Sequence, residues 1–196
     1  VTKLLMTTKG NSRLVSGVQL SDGSIWNTDL VVLAIGHSAR DTITTLYQDE
    51  IPMESKAFAI GFRVEHPQEM IQKSQYGTPT NPKLPVADYK LTATTADGRG
   101  VYSFCMCPGG YVVNSSSEEN ALAVNGMSYS DRGGPNANSA IIVSVTPEDF
   151  PDSSPLGGIA FQRSIEKRAY EVADGCVPVQ LFGDFQKNKV SDKLGE

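Results

Sequence analysis

Three stretches of this chain carry side chains able to do chemistry. The first is Phe58-Ala59-Ile60-Gly61-Phe62-Arg63-Val64-Glu65. Strand alternation puts Phe58, Ile60, Phe62 and Val64 on one face and Ala59, Gly61, Arg63 and Glu65 on the other. The two small residues leave room for a close approach, and Arg63 is placed to anchor an anionic group. The competing reading is a surface ion pair of Arg63 with Glu65 or Glu54.

The second stretch is Cys105-Met106-Cys107, followed by the sharp turn Pro108-Gly109-Gly110. Period two puts both thiols on one face of a strand. A zinc site needs further ligands, and only Cys176, His37 and His66 remain, with no second clustered pair. A metal is therefore not expected. A redox dithiol usually has Cys-x-x-Cys spacing. Two readings stay open: small strand residues before a turn, or a backbone surface from Cys105 to Gly110 shaped for a substrate or a flavin. The third stretch holds His37, directly after Gly36; the other histidine is His66, before Pro67. Either could exchange protons near neutral pH. His37 is the better catalytic candidate, because a capping or surface role competes for His66.

Other chemistries find no support. There is no Gly-x-Ser-x-Gly, no paired-acid signature, no Gly-x-Gly-x-x-Gly after a strand and no Gly-x-x-x-x-Gly-Lys-Ser/Thr. The net charge is −5 and no basic cluster exceeds two adjacent residues, which disfavours nucleic acid or an anionic membrane as partner. No apolar run is long enough to span a bilayer. Three cysteines do not make a disulfide framework, so a reduced, cytoplasmic setting is expected.

The elements that position these residues follow from patterning. Residues 1–29 read as an antiparallel meander, with turns at Lys9-Gly10-Asn11-Ser12 and Asp22-Gly23. It feeds into Leu30-Val31-Val32-Leu33-Ala34-Ile35, an apolar run that predicts a strand buried on both faces and ending at Gly36. A short helix follows, capped by Ser38 or Asp41 and stopped by Pro52. Pro67 suits the first position of a second helix that ends near Gly77. Residues 78–86 are a proline-rich loop, a lid or a plain connection. From 88 to 145 the pattern is β: strands at 89–95, 101–107, 111–114, 121–127 and 140–145, with a hairpin at Asp97-Gly98-Arg99-Gly100. Residues 155–173 read as the one long helix, with Ile159, Gln162, Ile165, Ala169 and Val172 near one stripe. Residues 177–181 read as extended, and the polar tail after Asp184 as frayed. The expected class is α+β: an antiparallel β-rich sheet or partial barrel with a few helices, plus a meander and one strand left over from an α/β domain.

Several segments together resemble a known family. The meander running into Thr28-Asp29-Leu30-Val31-Val32-Leu33-Ala34-Ile35-Gly36 resembles part of two-domain flavoproteins of the glutathione-reductase-like type. Residues 53–68, 84–91, 100–114, 125–130, 136–143 and 178–180 resemble bacterial uncharacterised FAD-dependent dehydrogenases. The resemblance implies FAD as cofactor, accepting or donating a hydride, with a small-molecule substrate and NAD(P)H as possible partner. It implies that Gly36, His37 and Ser38 lie near the flavin, and that Arg63, Cys105, Cys107, Gly109 and Gly110 face the substrate. The family's amino-terminal dinucleotide-binding strand and Gly-rich turn do not occur here, nor does its carboxy-terminal Gly-rich segment. The chain is therefore expected to be a piece of a longer protein, inactive and binding no FAD alone. Its expected parts are 1–50, belonging to the FAD-binding domain; 51–186, an inserted substrate-side domain; and 187–196, a flexible tail. A run such as 30–35, cut from its neighbours, should pair with the meander, stay partly exposed or drive self-association. The alternative function is a non-catalytic β-rich binding or interaction module.

Overall fold

A computed structural model describes residues 1–80 and 82–194. Its main sheet is built around β9 (Asn136–Val145). On one side β9 pairs with β4 (Phe58–Pro67), on the other with β6 (Gly100–Cys107); β5 (Thr92–Thr94) completes the order β4-β9-β6-β5. All pairings are antiparallel. The β-branched run Ile141-Ile142-Val143 favours the middle of a sheet. The strand also extends back through Asn136-Ala137-Asn138-Ser139, which the sequence had not marked as β. There the ladder with β4 overrides weak propensity, holding register without a break from Phe58↔Val145 to Pro67↔Asn136. Gly61 permits that closeness, since a Cβ would stand 1.9 Å from the Ile141 carbonyl oxygen.

Two smaller sheets accompany it. The expected meander forms from β1 (Lys3–Lys9), β2 (Ser12–Gln19) and β3 (Ile25–Asn27). β7 (Gly110–Asn114) and β8 (Val124–Ser128) pair only with each other. With helices α1 (Arg40–Gln48), α2 (Gln68–Tyr76), α3 (Gly157–Val172) and α4 (Phe182–Gln186), this is the expected α+β class. The sheets are open rather than a partial barrel. No helix among the described residues is long and apolar enough to cross a membrane.

Five local expectations are corrected. Residues 30–35 form no strand; Leu30, Val32 and Leu33 are exposed, Val32 at 80%. A strand of that composition needs ladder partners on both edges, and none of the described strands pairs with it. Neither Ser38 nor Asp41 caps α1: Ala39 is the N-cap and Asp41 lies in the first turn, where its charge suits the helix dipole. Pro67 is the N-cap of α2 rather than its first residue, while Gly77 closes it in the left-handed conformation at φ 72°. The expected stripe of α3, with Phe161 and Arg168 at its margins, is packed only in part: Ile159, Gln162 and Ala169 are half-buried. Ile165 and Val172 are exposed, whereas Phe161 packs against Phe58 and Phe150 at ring-centre distances of 6.3 and 5.8 Å. Residues 177–181 hold no helix, but α4 runs into the tail expected to fray after Asp184, and its Phe185 ring rests 5.3 Å from that of Phe62.

Arg40 ties α1 to α3. Its side chain is 6% exposed, and its guanidinium donates to Glu118 at 3.0 Å, Gln162 at 3.0 Å and both carboxylate oxygens of Glu166 at 2.7 and 2.8 Å. Arg163 closes the cluster on Glu118 at 2.6 Å. Hydrogen bonding from Arg163, then from Arg40, lowers the Glu118 carboxyl to about 2. Replacing Arg40 with leucine leaves two half-buried carboxylates facing each other, and should cost about 3 kcal/mol in a chemical denaturation experiment. The Glu118 contribution is complete above its ordinary value of 4.5 and is lost as pH falls toward 2. Glu118→Gln should flatten that part of the acid-unfolding curve.

Candidate functional site

Arg63 stands opposite Ala140, on the β4 face that carries Glu65 and, across the ladder, Asn138. Every acceptor around its guanidinium is neutral. Nε donates to Asn138 Oδ1 at 2.9 Å, and Nη2 donates to the Cys105 carbonyl at 2.7 Å while touching Cys107 Sγ at 3.6 Å. Nη1 has one long bond, 3.4 Å, to Asn125 Oδ1. Among the described residues no carboxylate pairs with it: Glu65 instead accepts from Asn136 Nδ2 at 2.8 Å. The surface ion pair weighed from the sequence does not form, and the cation is left uncompensated.

The Cys105 carbonyl reaches Arg63 because β6 bulges. Phe104 pairs with Ala140 and Cys107 with Asn138, so Cys105 and Met106 together oppose Ser139. Cys105 has φ 45°, the left-handed region that a non-glycine residue seldom occupies. The bulge breaks the period-two relation between the cysteines. Cys105 is exposed; Cys107 is half-buried, and its thiol donates to the Cys105 carbonyl at 3.3 Å. β8 then lies over the guanidinium. A Cβ on Gly126 would fall 2.2 Å from Arg63 Nη2 and 2.2 Å from Asn138 Oδ1. Asn138 is fully buried, with Oδ1 spent on Arg63 and Nδ2 unpartnered.

The other sheet face holds a second polar pair. Alternation puts His66 there, and its Nε2 lies 2.9 Å from the Tyr89 hydroxyl. His66 Nδ1 is buried without a partner. Burial raises the Tyr89 phenol; a Ser139 hydrogen bond and the Arg63 charge act in the opposite sense. His66 does not cap α2.

Gly109 and Gly110 are buried. Gly109 has φ 53°, and a Cβ there would stand 1.8 Å from the Arg132 carbonyl oxygen. Gln68, itself buried, holds the turn: Oε1 accepts from Gly109 N at 2.9 Å and Nε2 donates to the Ala87 carbonyl at 2.9 Å. Arg63, Cys105 and Cys107 thus meet at one centre, with the Gly109–Gly110 turn leading out of the same strand. Gly36, His37 and Ser38 share no hydrogen bond or ion pair with it; they are exposed, with Ser38 Oγ 3.1 Å from His37 Nε2. Sequence reasoning missed Asn125, Asn138, Gln68 and Tyr89. The available signal was an asparagine inside an otherwise apolar strand, which is buried only when hydrogen-bonded.

The chain is thus an antiparallel α+β protein with a guanidinium held on one sheet face by neutral acceptors. Residues 57–196 match the family described as FAD-dependent protein, C-terminal domain-like, and the chain belongs to that family. It is also similar to an uncharacterised protein of Clostridium beijerinckii, 57% identical over 172 residues, covering 86% of this chain and 32% of that protein. The chain therefore spans about a third of the length of the curated relative it matches.

The family implies FAD, and the stretch around Gly36 does not form a cradle for it by itself. Gly36 has φ 70°, but a Cβ on it would meet nothing within 4 Å, and the run before it is open to solvent. A pyrophosphate cradle needs converging backbone N–H groups at a helix start, and α1 begins only at Arg40. Among the described residues no group of three or more His, Cys, Asp or Glu could hold a metal.

The tightest packing at the centre gives a direct test. Gly126→Ala should destabilise the chain by about 1–3 kcal/mol in denaturant, because the new methyl displaces the Arg63 guanidinium. Gly183→Ala, where a Cβ meets nothing within 4 Å, is the neutral control.

Proposed function

We propose that this chain is the substrate-side portion of an FAD-dependent oxidoreductase, a cytoplasmic dehydrogenase of a small anionic molecule with NAD(P) as electron partner. Membership of the FAD-dependent family across residues 57–196 carries the reading. The Arg63 centre supports the substrate class. An arginine fork recognises carboxylate or phosphate through paired donors. Here Nη1 is committed only to a 3.4 Å contact with the exposed Asn125, so an anion gains more from it than the asparagine does.

In this reading Arg63 orients the substrate and the Cys105–Cys107 bulge shapes its approach, with the Gly109–Gly110 turn as the buried support behind it. Gly36, His37 and Ser38 face a flavin held mainly by parts of the full-length protein outside this chain, with His37 the candidate proton-transfer group. The chain alone is inactive, and neither nucleic acid nor membrane is a partner, in keeping with the net charge of −5. Isolated copies self-associate through the exposed run at 30–35.

Spectroscopic titration with FAD tests the division of labour. The isolated chain should leave the flavin absorbance unchanged, whereas the full-length protein should bind FAD stoichiometrically and be reduced by NADH or NADPH. A full-length protein without flavin, or tight stoichiometric binding by this chain alone, overturns the reading.

A further inference from the structure

We propose that Cys107 and Cys105 form a thiol–disulfide pair, with Cys107 the attacking thiol and Arg63 its activating cation. Three features of the β6 bulge carry this, independently of where the flavin sits. Cys107 Sγ lies 3.6 Å from Arg63 Nη2, and that guanidinium has no carboxylate partner among the described residues. A guanidinium at this distance is placed to steady the negative charge that sulfur carries as it attacks. The Cys107 sulfur also lies 3.3 Å from the carbonyl oxygen of Cys105, beside the residue it would pair with. Cys105 is exposed at the crest of the bulge, where an incoming disulfide or a resolving attack has access. The third cysteine, Cys176, is free and exposed, which makes it an internal reference.

The reaction uses a small-molecule disulfide as oxidant. The Cys107 thiolate attacks one sulfur of oxidised glutathione; the S–S bond of the reagent breaks, a Cys107–glutathione bond forms, and one glutathione thiolate leaves. The Cys105 thiolate then attacks the Cys107 sulfur, the mixed disulfide breaks, and the second glutathione leaves. Two electrons pass from the pair to the reagent, and the two thiol protons end on the departing glutathiones or in solvent.

The test treats the full chain with limiting oxidised glutathione near neutral pH and follows each cysteine by peptide mass mapping. Cys107 should acquire glutathione about tenfold faster than Cys176, and the adduct should convert to a Cys105–Cys107 disulfide with loss of two hydrogens. In Cys105→Ser the adduct should accumulate on Cys107; in Cys107→Ser, Cys105 should react no faster than Cys176. Arg63→Gln should bring the Cys107 rate down to that of Cys176. Should that variant fail to fold, Arg63→Lys decides instead, since it keeps the charge and Cys107 must still outpace Cys176. The proposal is overturned if Cys105 or Cys176 reacts as fast as Cys107 in the unaltered chain. It is equally overturned if the Cys107 adduct persists with Cys105 present, if folded Arg63→Gln leaves the Cys107 rate unchanged, or if Arg63→Lys loses the advantage.

Discussion

A guanidinium that leaves water must find an acceptor for each of its donors, and it carries its charge with it. Two arginines of this chain answer the charge part of that constraint in opposite ways, though Arg40 Nε is left buried without a partner among the described residues. Arg40 is buried among carboxylates, with Glu118 and Glu166 answering Arg40 and Arg163 charge for charge. Such a cluster is electrically closed and holds α1 against α3. Arg63 is surrounded by amide oxygens, a backbone carbonyl and a thiol, with Nη1 held only by a 3.4 Å contact, so no acceptor around it answers its charge. The first arrangement stiffens the structure. The second leaves a positive centre on a sheet face, and much of the local geometry exists to serve it: the β6 bulge turns a carbonyl toward it, Asn138 is buried to reach it, and β8 carries a glycine so that the backbone can lie on it.

What the sequence could reveal divides along the same line. Alternation located Arg63 and Glu65 on one face of β4, because period two is a property of the strand itself. The meander and the Asp97-Gly98 hairpin were equally legible, since their turn residues act locally. The bulge was not, because Phe104-Cys105-Met106-Cys107 alternates as a regular strand would, and only pairing with β9 shows where two residues oppose one. Asn138 and Gln68 were invisible for a related reason: each earns its burial from partners far along the chain, Arg63 for one and Gly109 and Ala87 for the other. The stripe of α3 was only partly right, because the helix packs through Phe161 and the nearby Gly158, whose missing side chain lets the Phe58 and Phe150 rings close in.

Composition also misled at residues 30–35, though its physics was sound. Leucine, valine and isoleucine in sequence do favour a two-sided strand. A strand, however, is a relation between neighbours, and α1, which follows directly, is anchored through Arg40 to α3 rather than to a sheet. Family membership over residues 57–196 leaves this run outside the matched region, alongside the meander.

That bare run has a consequence for the chain in a test tube or a cell. Leu30 to Ile35 is a window of high β-propensity with no charge and no proline, the composition that stacks into cross-β fibrils once exposed. Most of it is exposed in the described fold, so concentration rather than unfolding is expected to govern whether the isolated chain precipitates. A single gatekeeper charge at Val32, which is 80% exposed, separates solubility from stability at that position.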